Sequence, residues 1–279
     1  MILLADSGSS KTDWWLVDNN QVIKKLKTIG LNPYFVNSLQ VREELLREFS
    51  NVFELDQVLK VFFYGAGSSS PTKKAVIHNA LKSMFPQAAI LVEHDLLASA
   101  RALHGNQPGI ACILGTGSNA CLYDGNDITE SLFSLGYMFG DEGSGAHLGK
   151  TYIAAHLKKR VPKEIHQAFM EHYSYTDEEI LTHIYQREKP NRFLASFTVF
   201  LKSQLHHPYV SELIERCFDE FFTEQVSKFT NYQDMRFGCI GSVGYHFQEI
   251  LMRSAAKHNI VPEVFLVSPM EGLMEYHRE

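Results

Sequence analysis

Three short glycine turns, each placed directly after an apolar run, hold the side chains best suited to chemistry. They are Asp6-Ser7-Gly8-Ser9-Ser10-Lys11-Thr12, Leu114-Gly115-Thr116-Gly117-Ser118-Asn119 and Gly241-Ser242-Val243-Gly244. A phosphate needs main-chain N–H groups aimed at it with no side chain in the way, and glycine turns after strands supply them. None of the three fits the G-x-x-x-x-G-K-[ST] pattern of a P-loop, and the first runs into a strand, whereas a dinucleotide fingerprint opens a helix. Two carboxylates stand with them, Asp6 at the start of the first turn and Asp95 just past a later apolar run. Phosphoryl transfer demands little else, because it is mostly positioning and charge neutralisation, with one carboxylate to take the acceptor's proton and others to hold a magnesium ion. The plainer role for an aspartate at a strand end is to cap a turn or helix with its own oxygen.

The elements that must position these groups alternate between strand and helix. Ile2 to Ala5, Trp14 to Val17 and Gln21 to Thr28 read as strands joined by turns. Residues 40 to 54 have helical spacing, Val58 to Tyr64 is a strand, Thr72 to Phe85 a helix, and Ala89 to Glu93 a buried strand with Asp95 just past its carboxyl end. In open α/β sheets ligands collect at that end. The second half repeats the device with Ile110 to Leu114, a tight turn, and Ala120 to Tyr123. Helices are then predicted over 146–160, 162–172, 176–187, 190–205 and 208–231. Phe237 to Ile240 is a strand, Tyr245 to His258 a helix, Val264 to Val267 a last strand and 270–277 a closing helix. Phe218, Phe221, Phe222, Val226 and Phe229 form a stripe expected in the core.

A chain of 279 residues exceeds the size at which one core keeps growing, which predicts two domains. Hydrophobic residues at 45% suffice for two cores. The formal charge of -6 and the lack of a basic cluster argue against nucleic acid as a partner. No stretch reads as a signal peptide or membrane span, so no membrane partner and a cytoplasmic location are expected. Cys112, Cys121, Cys217 and Cys239 include no C-x-x-C pair and are read as reduced, buried thiols. His206-His207 lacks partners at metal-ligand spacing.

Leu4 to Asp13, Gly30-Leu31-Asn32, Glu93-His94-Asp95, Leu114 to Asn119, Gly136-Tyr137-Met138-Phe139-Gly140-Asp141-Glu142-Gly143-Ser144 and Ile240 to Gly244 together resemble the sugar kinase, actin and heat-shock chaperone ATPase superfamily. Within it the chain resembles the N-acetylglucosamine kinase branch, which also contains activator ATPases. The resemblance implies an α/β fold of two ribonuclease H-like lobes with a central cleft, the second lobe larger and more helical. The lobes would be 1–108, completed by 269–279, and 109–268. It implies ATP and Mg2+ as cofactors and an amino sugar as substrate, with the second lobe offering surface for a homodimer.

By the same resemblance, Gly8, Ser9, Ser10, Lys11 and Thr12 lie near the β- and γ-phosphates, with Asp6 close to magnesium. Thr116 and Gly117 cradle phosphate, and Gly241 and Ser242 border the adenosine. Asn32, Asp95, Ser118, Asn119, Gly136, Tyr137 and Asp141 face the sugar, Asp95 as the general base and Asp141 also reaching magnesium through water. The implied activity is phosphorylation of N-acetylglucosamine or a close amino sugar at its 6-hydroxyl. The competing readings are an activator ATPase of a 2-hydroxyacyl-CoA dehydratase system and a non-catalytic sugar or nucleotide sensor. The chain departs from the family at Ser10 in place of threonine, at Pro33 and Tyr137 beside the sugar segments, and in the Pro269 to Leu273 stretch.

Overall fold

Ten strands form two five-stranded sheets among the described residues, 1–8, 11–50 and 52–278 of a computed structural model. The chain divides into two units, Met1–Gly105 with Pro269–Glu279, and Asn106–Ser268.

In the first unit β1 (Ile2–Ser7), β2 (Lys11–Asp18), β3 (Gln21–Ile29), β4 (Lys60–Gly65) and β5 (Ala89–Glu93) lie in the order β3-β2-β1-β4-β5. The first three are antiparallel, as short turns permit, while β1, β4 and β5 run parallel and need crossovers. Helices α1 (Ser38–Phe49) and α2 (Pro71–Met84) provide these crossovers, followed by α3 (Asp95–His104). Asn37 and Gln40 cap α1 reciprocally, and Ser70 caps α2 ahead of Pro71. Trp14 anchors the core, its ring edge-on to Phe49 at 5.2 Å and its indole N–H donating to Thr28 Oγ1 at 3.0 Å.

The chain's last helix, Met270–Tyr276, also belongs to this unit. It packs so tightly on α3 that a Cβ on Gly272 would lie 2.3 Å from the Ala102 carbonyl oxygen. Just beyond it, His277 stacks on Phe62 at 3.7 Å. Arg101 donates to the Tyr64 hydroxyl at 2.9 Å, and that hydroxyl meets His277 Nε2 at 2.8 Å. Burial pushes the His277 pKa down to about 4, so the ring is neutral where it meets the tyrosine hydroxyl.

The second unit repeats the first sheet. Strands β6 (Gly109–Leu114), β7 (Ser118–Tyr123), β8 (Ile128–Ser131), β9 (Phe237–Ile240) and β10 (Pro262–Leu266) take the order β8-β7-β6-β9-β10, with the same parallel and antiparallel pairings. Between β8 and β9 lie α4 (Gly136–Phe139), α5 (Gly145–Leu157), α6 (Lys163–His172), α7 (Asp177–Tyr185), α8 (Pro190–Ser196), α9 (Thr198–Ser203) and α10 (Pro208–Glu224). Helices α11 (Ser242–His246) and α12 (Gln248–Lys257) follow β9. The expected aromatic stripe is buried on α10 and just after it, and all four cysteines are buried in this unit. Among the described residues no helix is long and apolar enough to cross a membrane.

Three predicted helices are divided or shortened. The 190–205 helix breaks at Phe197, where Ser196 and Thr198 hydroxyls donate back to the Phe193 and Ala195 carbonyls, each at 2.7 Å, in competition with the helical ladder. The 208–231 helix ends at Glu224 and passes into a 3-10 turn, Val226–Lys228. The segment predicted from Tyr245 begins at Ser242 and breaks at Phe247.

Helix α5 crosses α8 at Gly149, where a Cβ would sit 1.9 Å from the Leu194 carbonyl oxygen. In a free helix Gly→Ala gains roughly 1 kcal/mol, but overpacking against fixed backbone costs more. Gly149→Ala is therefore expected to lose about 2 kcal/mol net, measurable by urea unfolding; a stabilised variant would contradict the close crossing.

Candidate active site

The first unit gathers its polar groups at the carboxyl ends of β1, β4 and β5. Asp6 is paired across β1 and β4 with Tyr64, and Tyr64 with Glu93 on β5; Asp95 follows two residues later as the first residue of α3. Burial raises the Asp6 pKa to about 7, with Asp95 and Asp13 adding to the rise and Lys11 opposing it. Burial also raises Asp95, against the pull of His94 and of the main-chain N–H groups of Leu96 and Asp95 itself. Burial thus disfavours ionisation of both carboxylates, and the charge of Asp95 adds to the cost at Asp6.

The turn between β1 and β2 is held by hydroxyls. Leu31 N–H donates to Ser7 Oγ at 3.0 Å, Ser7 and Thr12 hydroxyls meet at 2.8 Å, and Thr12 donates to the Ile29 carbonyl at 2.9 Å. Ser7 and Thr12 are buried, so the Thr12 hydroxyl is spent on the strands, and its place is to hold the turn. Gly8 N–H donates to the Lys11 carbonyl at 3.0 Å. Lys11 is exposed and pairs with Asp13 at 2.6 Å. Ser9 and Ser10 lie outside the described residues. Asn32 is buried where β3 ends. Its Oδ1 accepts from Tyr34 N–H at 3.0 Å, and a Cβ on Gly67 would lie 2.4 Å from the same oxygen. Gly67, at φ +81°, is therefore required for the turn after β4 to close on Asn32.

In the second unit three segments meet at the end of β6. The first is the 115–117 turn, closed by Gly115 N–H to Gly117 O at 3.0 Å. The second, the 141–146 loop, is stitched to it by Gly145 N–H to Gly115 O at 2.8 Å and Ala146 N–H to Thr116 O at 3.0 Å. Ser118 N–H donates to the Asp141 carboxylate, and a Cβ on Gly117 would lie 2.9 Å from Asp141 Oδ2. The third is Gly241, at φ +120°, where a Cβ would strike the Leu114 carbonyl oxygen at 2.3 Å.

Ser144 caps α5 by accepting from His147 N–H at 3.1 Å. His147 Nδ1 accepts from Gly143 N–H at 3.0 Å, as a neutral ring must; burial and nearby Lys150 hold its pKa at about 4. Asp141 is raised by burial and Glu142, against its bond from Ser118 and the charge of Lys150.

Ser118, Asn119 and Asp141 line one cavity of about 270 Å³, beside apolar Leu135 and Phe139 and the carboxylates of Glu142 and Glu224. Thr116 and Ser242 are exposed at its neighbouring turns. Gly136 and Tyr137 stand apart on α4: nothing lies within 4 Å of a Cβ on Gly136, and the Tyr137 carbonyl accepts from Lys150 Nζ at 3.0 Å. Sequence reading missed Gln225, which also lines the cavity and whose amide donates to both Ser118 Oγ and Glu142 Oε2 at 3.0 Å. Its signal was slight, a polar residue continuing the buried stripe of α10.

These two repeated sheets, with glycine turns at corresponding strand ends, define an actin-like ATPase fold. A crystal structure of a candidate N-acetylglucosamine kinase from Porphyromonas gingivalis superposes with a TM-score of 0.93 at 40% identity, covering 100% of this chain and 99% of that one. A second candidate N-acetylglucosamine kinase, from Chromobacterium violaceum, shares the fold with a TM-score of 0.71 at 16% identity, over 99% and 98% of the two chains. The N-acetylmuramic acid/N-acetylglucosamine kinase of Clostridium acetobutylicum is 27% identical over 216 residues, 71% of this chain and 68% of the relative. No protein-family model matches the sequence. The chain belongs to the N-acetylglucosamine kinase-like branch of the actin-like ATPase and sugar kinase superfamily.

A carboxyl whose folded pKa lies above its unfolded value, here about 7 against 3.8, weakens folding progressively as pH rises through that interval. Asp6→Asn removes the burden. In magnesium-free buffer the variant should melt higher than wild type, by a margin that grows from about pH 4 to about pH 7 and then levels off. Thermal melts at both ends of that range check this, and a margin that shrinks with rising pH would contradict the raised pKa.

Proposed function

We propose that this chain transfers the γ-phosphoryl group of Mg-ATP to the 6-hydroxyl of N-acetylglucosamine or a close amino sugar. The observation that carries the reading is the pair Asp6 and Asp95, crowded at the end of the first sheet in a chain 40% identical to a candidate N-acetylglucosamine kinase. In this reading Asp95 is the general base. A sugar hydroxyl becomes a nucleophile as its proton passes to an oxygen of Asp95, and a carboxylate with a raised pKa is a better proton acceptor than an ordinary one. Asn32, Ser118 and Asn119 orient the sugar. Main-chain N–H groups at Thr116 and Gly117 receive phosphate oxygens, with Lys11 adding charge and Gly241 and Ser242 bordering the adenosine.

The donor set fits a magnesium ion. Among the described residues no three His, Cys, Asp or Glu side chains gather into a cage. Magnesium bound with a nucleotide needs only one or two carboxylates, its other ligands being water and phosphate. Asp6, whose ionisation is disfavoured without a cation, would hold it, and Asp141 would reach it through water. The ion supplies neutralisation of phosphate charge.

The activator-ATPase reading calls for cysteines that bridge two subunits around an iron–sulfur cluster. All four cysteines here are buried, and burial raises the thiol pKa of each. A sensor, by contrast, has no use for a base. Replacing Asp95 by Asn separates sensor from kinase. Turnover of ATP with N-acetylglucosamine should fall by about 10³-fold while sugar affinity changes little. At saturating magnesium, which keeps Asp6 ionised, wild-type activity should decline as pH falls and Asp95 takes up a proton, and the variant's residual rate should lack that acid limb. A wild-type protein that consumes no ATP with any amino sugar would overturn the reading.

A further inference from the structure

We propose that Gln225 is a positioning residue that orders the hydrogen bonding of the sugar pocket, occupying a lone pair of Ser118 so that its hydroxyl hydrogen is left to donate beside the acceptor oxygens of Glu142. The proposal rests on the functional reading above, in which the cavity lined by Ser118, Asn119 and Asp141 takes the sugar.

Gln225 follows α10, and its own N–H still donates to the Phe221 carbonyl at 3.0 Å, which anchors its backbone to the helix. It is only 9% exposed. The preceding turns of α10 bury Phe218 and Phe221 against the 141–146 loop, where a Cβ on Gly143 would lie 2.8 Å from Phe221 Cβ. Gln225 is thus the point at which an apolar helix face becomes polar and enters the cavity.

A side-chain amide has two N–H donors. Gln225 directs them to Ser118 Oγ and Glu142 Oε2, each at 3.0 Å, bridging partners 107 and 83 residues away. The opposite orientation would set its carbonyl oxygen against a carboxylate oxygen, acceptor to acceptor, so Glu142 dictates which way the amide faces. Ser118 then has one lone pair occupied. Among the described residues nothing accepts its hydroxyl hydrogen, which is free to point into the cavity that Ser118 lines. Glu142 keeps a second oxygen as an acceptor in the same cavity. A sugar entering there meets the Ser118 hydrogen as a donor beside the Glu142 acceptor, and Gln225 favours that order without touching the reacting atoms.

The consequence concerns sugar recognition more than phosphoryl transfer. Three variants test it: Gln225→Glu, Glu142→Gln and the double exchange, assayed with N-acetylglucosamine and ATP. In Gln225→Glu two carboxylates oppose one another and Ser118 loses its donor, so the KM for the sugar should rise about tenfold while the KM for ATP stays within about twofold. The double exchange reverses donor and acceptor between 142 and 225. It should restore the melting temperature lost in Gln225→Glu but leave the sugar KM high, because the carboxylate introduced at position 225 would draw the Ser118 hydrogen to itself.

An unchanged sugar KM in Gln225→Glu would overturn the proposal, as would a double exchange that returns both melting temperature and sugar KM to wild-type values. Wild-type protein that phosphorylates no amino sugar would defeat the functional reading instead. Calorimetric binding of N-acetylglucosamine to the same variants would then judge Gln225 separately: tenfold weaker binding in Gln225→Glu supports the role, and equal binding or no wild-type binding refutes it.

Discussion

Main chain approaches main chain at the end of β6, and the rest of the second unit is arranged so that nothing intrudes. Gly145 N–H reaches the Gly115 carbonyl, and Gly241 abuts Leu114 so closely that a methyl group there would overlap a carbonyl oxygen. Such contacts are possible only where side chains are missing. They bring a strand-end turn, a helix N-terminus and a second turn together, so that their short side chains share one region. The large aromatic core of Phe169, Phe197, Phe200, Phe218 and Phe221 stands behind these contacts and supplies the rigidity they need.

The first unit solves the corresponding problem with hydroxyls. The chain of bonds from Leu31 through Ser7 and Thr12 to Ile29 ties the ends of β1, β2 and β3. Against that fixed frame the two carboxylates, Asp6 and Asp95, are held where burial opposes their charge. A polar site kept under electrostatic tension is a common property of catalytic centres, because the tension is relieved by the ligand and not by the resting protein.

Much of the fold was legible in the sequence because its signals are local. Apolar runs ending in glycine turns located β1, β4, β6 and β9, and their repetition foretold two related halves. The helix breaks at Phe197 and Phe247 were hidden, since the hydroxyl bonds of Ser196 and Thr198 compete with a ladder whose propensity alone favours continuity. At the candidate site the glycines and Asp6, Asp95 and Asp141 could be read from motif spacing. Thr12 could not be separated from exposed Lys11 by spacing, because its burial depends on Ile29 and Ser7 from two other strands. Gln225 was invisible for the same reason on a larger scale: its partners are distant in the chain, and only folding brings them within reach.

The helix Met270–Tyr276 belongs with Met1–Gly105 although the whole of the other unit is encoded between them. On the ribosome the sheet of the first unit emerges before the second unit but lacks the partner for Phe62, Tyr64 and Ala102 until Asn106–Ser268 has also been made. Unit Asn106–Ser268 is under no such delay, since all its strands are contiguous. Nascent chains should therefore acquire their native structure out of vectorial order, the later-synthesised half becoming complete before the earlier one.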